Sequence, residues 1–148
     1  MVTKDGFSAQ FWITDSEEFF LNWVHEDVRN LNSVASTKRG RSLYIALFIA
    51  DPGKVNRRVK GKGLVPTSDV TYDFLVLRPD GTVYGSGKQL VAWSGAAPSP
   101  HLVHLANGKV MIMLDEIDPP GEYTVNVLVT DNVNKTAIQL QRKFSLED

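Results

Sequence analysis

Alternation of apolar and polar positions is the strongest signal along the chain. Between Asp118 and Val129 the order is D-P-P-G-E-Y-T-V-N-V-L-V. Pro119, Pro120 and Gly121 break any regular element there, since two fixed φ angles and a glycine favour a turn. Tyr123, Val125, Val127 and Val129 then recur at period 2, the pattern of a strand with one face in a core. The same period appears in Phe7, Ala9, Phe11 and Ile13, in Val70, Tyr72, Phe74 and Val76, and in Ile138 and Leu140, with Phe144 and Leu146 sharing their face. Ser42–Ala50 is apolar on both faces and short, which predicts a central strand covered on both sides.

Between these runs, Thr14 or Asp15 followed by Glu17 or Glu18 is a capping pattern. It predicts one short helix over residues 16–26, with Phe19, Phe20, Trp23 and Val24 on its inner side. Val34–Thr37 reads as a short strand before a Lys38–Arg41 turn. Pro79-Asp80-Gly81 predicts a hairpin into Thr82–Tyr84. A kinked strand over Lys88–Trp93 follows the Gly85-Ser86-Gly87 break. Ser94–Pro100 reads as a loop, and His101–Leu105 with Val110–Leu114 reads as a further hairpin. Asp131–Lys135 turns the chain into the last strand. The expected fold is all-β, an immunoglobulin-like antiparallel sandwich of about seven to nine strands with the helix packed on it. It forms a single domain over residues 1–148, long enough to bury a core without staples.

Composition narrows the chemistry. The net charge is −1 and 43% of residues are hydrophobic, as in ordinary globular proteins. Without cysteine there is no disulfide, no thiolate ligand and no thiol nucleophile. No stretch is long and apolar enough to span a membrane as a helix. Met1–Gly6 lacks the apolar centre of a signal peptide.

Three motifs together carry a family resemblance: R-P-D-G-T-V-Y-G (Arg78–Gly85), the isolated Trp93 and D-P-P-G-E-Y-T-V. The chain resembles small exported bacterial proteins with an immunoglobulin-like or fibronectin-like sandwich and no assigned activity. Gly-x-Tyr opening a strand is similar to the tyrosine corner of such sandwiches, with Gly121 and Tyr123 in the structural roles. The resemblance implies a periplasmic or secreted protein whose leader has been removed, and it supplies no catalytic residue.

Residue-level chemistry adds little. His101 and His104, three apart on a strand, point to opposite faces, so a shared metal is disfavoured. Gly85-Ser86-Gly87-Lys88 fails as a phosphate loop, because Thr82 stands where its first glycine belongs and Gln89 replaces the hydroxyl ligand. The glycines read instead as a bulge or kink. Asp115, Glu116 and Asp118 cluster at a strand end, where solvated turn acids are a commoner outcome than a calcium site. No nucleophile elbow occurs. No catalytic site, metal or cofactor is therefore assigned.

Charge is unevenly spread. Half of the 16 Lys and Arg residues fall between Lys38 and Lys62, with Asp51 the single acid there. Residues 53–67 read as a mobile basic loop in which Lys54, Arg57, Arg58, Lys60 and Lys62 can face an anionic partner. Trp12, Tyr44, Tyr84 and Trp93 are candidates for a recognition face, with Trp12 expected under the helix. The expected function is a non-enzymatic, exported interaction module whose partner is another protein or an anionic envelope component. Specific nucleic-acid binding is not expected, since the basic stretch lacks interleaved aromatics. The alternative is a small-ligand or carbohydrate binder using Trp93, Tyr84 and adjacent loops.

Overall fold

The computed structural model describes residues 1–21 and 33–148, with the side chains of Phe19 and Leu21 undescribed. Two sheets enclose one core. The first orders β1 (Val2–Lys4), β2 (Phe7–Thr14) and β4 (Ser42–Ala50), with β8 (His104–Leu105) and β9 (Val110–Met113) both on the far side of β4. The second orders β3 (Ser36–Lys38), β11 (Thr136–Glu147), β10 (Gly121–Asp131), β6 (Gly63–Leu77) and β5 (Val55–Val59), with β7 (Val83–Ala96) also on β6. All pairings are antiparallel except β3 with β11. The described residues thus hold eleven strands, more than the alternation alone marks. Of the helix expected over 16–26, one turn is described, α1 (Glu18–Leu21). Residues 22–32 lie outside the described residues, so a packed helix is not seen among those described.

The period-2 readings hold where both faces are fixed by burial. Phe7, Ala9, Phe11 and Ile13 from β2 meet Leu43, Ile45, Leu47 and Ile49 from β4 in the core. Tyr123, Val125, Val127 and Val129 from β10 and Ile138, Leu140, Phe144 and Leu146 from β11 close it from the other sheet. Tyr44, Ala46 and Phe48, on the outer side of β4, are buried as well. Phe20 meets the Tyr44 ring edge-on at 5.8 Å, which is part of that outer cover.

Three differences from the expected layout have local causes. Asp5 and Gly6 both take positive φ, the conformation a two-residue hairpin demands, and so pair β1 with β2. Residues 53–67 are not an irregular loop: Val55–Val59 pairs with Gly63–Thr67, closed by a tight turn through Lys60, Gly61 and Lys62. Last, β8 and β9 do not pair with each other. They run successively along the same edge of β4, His104 opposite Ile49 and Val110 opposite Ile45. The break between them carries the Ala106 N–H to Leu47 O and the Asn107 N–H to Ala92 O in the other sheet, each at 2.8 Å.

β7 is continuous through Gly85-Ser86-Gly87 but carries three register shifts against β6. Tyr84, the pair Lys88–Gln89 and Ala92 supply the extra residues, as the pairings Val76 with Gly85, Leu77 with Val83, Tyr72 with Leu90, Phe74 with Gly87, Val70 with Trp93 and Thr71 with Val91 require. Each bulge adds local twist and bend. Two of the inserted residues reach the first sheet: the Ala92 carbonyl accepts from Asn107, and the Tyr84 hydroxyl donates to Met113 O at 2.8 Å. The bulged strand therefore curls the second sheet over the first, which makes a half-barrel of one side of the molecule.

Candidate functional site

The five cations of the basic stretch sit on the β5–β6 hairpin. β10 pairs with β6 no further than Val70, and β5 pairs with the stretch of β6 beyond it, from Gly63 to Thr67. The hairpin is thus an arm extending past the end of β10. Lys54, Arg57, Arg58, Lys60 and Lys62 are all exposed. Strand alternation divides them, since Arg57 lies on the face of Val55 and Val59 while Arg58 lies with Asn56. Arg57 borders a hollow of about 290 Å³ that also includes Asp69, so that hollow is of mixed charge. Leu64, opposite Arg58, is 66% exposed. None of the five cations makes an ion pair or a side-chain hydrogen bond among the described residues, unlike Arg39, Arg78, Lys109 and Lys143, each of which has a carboxylate partner.

The aromatic candidates do not form one face. Tyr84 and Trp93 are nine residues apart on β7, and with its bulges they span the stretch from Leu77 to Val70 of β6, roughly 20 Å. The indole N–H of Trp93 donates to Ala96 O at 2.8 Å, and its ring meets the His104 imidazole edge-on at 5.4 Å. Tyr84 ties the two sheets through Met113, with its ring T-shaped to Tyr123 at 6.5 Å. Burial pushes its hydroxyl above the usual tyrosine range. Tyr44 is buried beneath Phe20 and Lys109.

Titratable clusters are structural. His101 is exposed and takes positive φ, while His104 is buried with its Nε2 at 3.1 Å from Ser99 O. The carboxylate of Asp118 is buried and accepts from the Asp115 N–H at 2.8 Å, while the Asp118 carbonyl accepts from Arg39 at 2.9 Å. Asp118 thus closes its own turn. Among the described residues no group of three or more His, Asp or Glu is placed to hold a metal, and no helix is long and apolar enough to cross a membrane.

The structure brings together one pair that alternation did not single out. On β11 the inward register runs Ile138, Leu140, position 142, Phe144 and Leu146, and position 142 is arginine. Arg142 lies where the edges of β2 and β11 face each other without pairing. Its Nε–H donates to the Phe11 carbonyl, and its guanidinium lies 3.6 Å from the centroid of the Trp12 ring. Among the described residues Arg142 covers this face of Trp12, and most of the helix expected over it lies outside them. Burial pulls the guanidinium below its ordinary value, and the Trp12 indole nitrogen is buried with no acceptor among the described residues. The legible signal was the charged residue interrupting an apolar register. Its partner lies 130 residues away in the chain, beyond the reach of any spacing argument.

No protein-family profile and no curated protein matches the chain. Among solved structures it is similar to a family 123 glycoside hydrolase from Clostridium perfringens, at 10% identity and a TM-score of 0.49 over 95% of this chain. It is also similar to a Niemann-Pick type C2 protein from Japanese carpenter ant, at 9% identity and a TM-score of 0.49, covering 95% of this chain and 91% of that one. A third likeness is to the alkylpurine DNA glycosylase AlkC of Pseudomonas fluorescens, at 13% identity and a TM-score of 0.42 over 77% of this chain. The chain spans 28% of the glycoside hydrolase and 28% of the glycosylase.

Proposed function

We propose that this chain is a non-enzymatic, exported interaction module of immunoglobulin-like build that engages an anionic partner through the β5–β6 arm. The observation that carries the reading is the set of five exposed cations on a projecting hairpin, none of them paired with a carboxylate among the described residues. Unpaired surface charge of one sign raises the encounter rate with a partner of the opposite sign. Because Arg57 and Arg58 lie on opposite faces, the arm presents cations to two sides and does not gather them around one small anion. The immunoglobulin-like part of the reading is supported by two largely antiparallel sheets and by the buried Tyr123 hydroxyl bonded four residues upstream. The periplasmic or secreted location rests on the resemblance of Arg78–Gly85, Trp93 and Asp118–Val125 to exported sandwiches.

The test is cosedimentation with phosphatidylcholine vesicles containing phosphatidylglycerol, and with a purified acidic protein, across a salt series. Binding is expected to fall steeply as salt rises, because exposed charges are screened. The variant neutralised at Arg57, Arg58, Lys60 and Lys62 is expected to lose binding and keep its melting temperature. Undiminished binding by that variant would remove the arm as the site.

A further inference from the structure

We propose that the seam between β2 and β11 is a second, separate binding site, in which Arg142 holds the carboxylate or phosphate of a small organic anion whose apolar body rests beside Trp12. Four observations converge on it.

The charge is placed where the strand pattern calls for an apolar side chain. Arg142 sits between Leu140 and Phe144 in the inward register of β11, opposite Val125 of β10. Arg142 is half-buried, and no carboxylate pairs with it among the described residues. Arg39, Arg78, Lys109 and Lys143 all have one.

The guanidinium is also fixed in advance. Its Nε is held by Phe11 O and its Cζ lies 3.6 Å from the Trp12 ring centroid, so the stem and head have lost most of their freedom before any ligand arrives. Nη1 and Nη2 donate to no acceptor among the described residues, which leaves a planar fork of the geometry that carboxylates and phosphates accept bidentately.

There is room beside it. A groove of about 410 Å³ runs along the seam, lined by Trp12, Val34 and Ser33 on one side and by Arg142 and Lys143 on the other. That volume falls in the range of small-molecule sites. A second groove, of about 430 Å³, opens on the opposite flank of Arg142, past Gln10 and Gln139. No acid lines either groove among the described residues.

The fourth observation is the Trp12 indole N–H, buried at the same place without an acceptor among the described residues. Buried donors are rarely left unpaired, and an orphan beside an open groove is the arrangement expected where a ligand atom supplies the missing acceptor after a small adjustment of the ring.

The site is independent of the arm. The arm continues along the edge of β6 beyond Asp131, whereas Arg142 pairs with Val125, six residues back along β10, and no arm residue lines either groove, so failure of either reading leaves the other standing.

The experiment follows the Trp12 indole and Arg142 Nε resonances by ¹⁵N-edited NMR of the full chain. Benzoate and phenyl phosphate serve as charged probes, with benzyl alcohol as the neutral control. Saturable shifts confined to these two groups and their neighbours are expected for a charged probe, with a dissociation constant of ~1 mM or tighter. Benzyl alcohol should give none. Which of the two charged probes binds more tightly distinguishes a carboxylate ligand from a phosphate ligand. Arg142→Lys keeps the charge but not the fork, and should weaken binding by about tenfold or more. Arg142→Met keeps the stem and should abolish binding. Two results would overturn the proposal: equal shifts from benzyl alcohol, or no saturation by either anion up to ~10 mM. If both variants fail to fold, the charged and neutral probes on the parent protein still decide the question.

Discussion

The Tyr123 hydroxyl donates to the Pro119 carbonyl at 2.8 Å, and the tyrosine that makes this bond is fully buried. Its ring stacks on Phe144 at 5.3 Å, so one side chain fixes both the turn before β10 and the packing of β10 on β11. Tyr123→Phe keeps the stacking and strands the carbonyl. It should destabilise by ~1 kcal/mol or somewhat more, read from chemical denaturation.

Alkali tests the same residue. Burial, with the Asp118 carboxylate adding to it, raises the Tyr123 hydroxyl above its ordinary value of 10.0. Stability from such a group is complete below the unfolded value and is lost as pH rises through the folded one. The parent should therefore lose stability above about pH 10, and Tyr123→Phe should lose it less steeply.

Leu47 is 4% exposed at the centre of β4, within the core cluster. Leu47→Ala should cost ~2–5 kcal/mol in a denaturant titration. A loss under about half a kcal/mol, the size seen at open surface sites, would contradict this placement.

Gly87 faces Phe74 across the sheet, and a Cβ there would stand 2.5 Å from the phenyl ring and 3.2 Å from Leu90. Gly87→Ala should destabilise by ~1–3 kcal/mol through overpacking. Phe74→Leu in the same chain should recover part of the loss, which a double-mutant cycle of melting curves would show.

Asp80 closes the turn between β6 and β7 by accepting from the Thr82 hydroxyl at 2.6 Å and the Thr82 N–H at 2.9 Å. These bonds, the hydroxyl foremost, hold its carboxyl below the ordinary 3.8. A depressed carboxyl stabilises above its unfolded value and loses that contribution as pH falls through the folded one. The melting-temperature gap between parent and Asp80→Asn should be open at neutral pH and close in acid below about 3.8.

The elements legible in the sequence are those whose faces are sorted by burial. Ser42–Ala50, Phe7–Thr14 and the run from Tyr123 to Val129 were readable because inward positions there are apolar throughout. β5 left no such trace: its side chains are exposed or half-exposed on both faces, so the alternation had nothing to sort and glycine with charge read as a loop. β8 and β9 were visible as strands, but Asn107-Gly108 looked like a hairpin turn when it is a break in one edge. The cations of the arm were legible as composition, while their division between two faces needed the pairing of β5 with β6. The Trp12–Arg142 contact joins opposite ends of the chain, and the hint of it was one arginine out of pattern.

The three bulges of β7 bear on how the protein behaves in a crowded solution. A regular outer strand offers a ladder of free backbone groups on which a neighbouring chain can grow. β7 interrupts that ladder at Tyr84, at Lys88–Gln89 and at Ala92, and turns two of those residues inward onto the other sheet. A foreign strand laid along it would lose register at each interruption, so this side of the molecule resists fibre growth. β5 is a further edge of the second sheet, and there Arg57 and Arg58 make like copies repel.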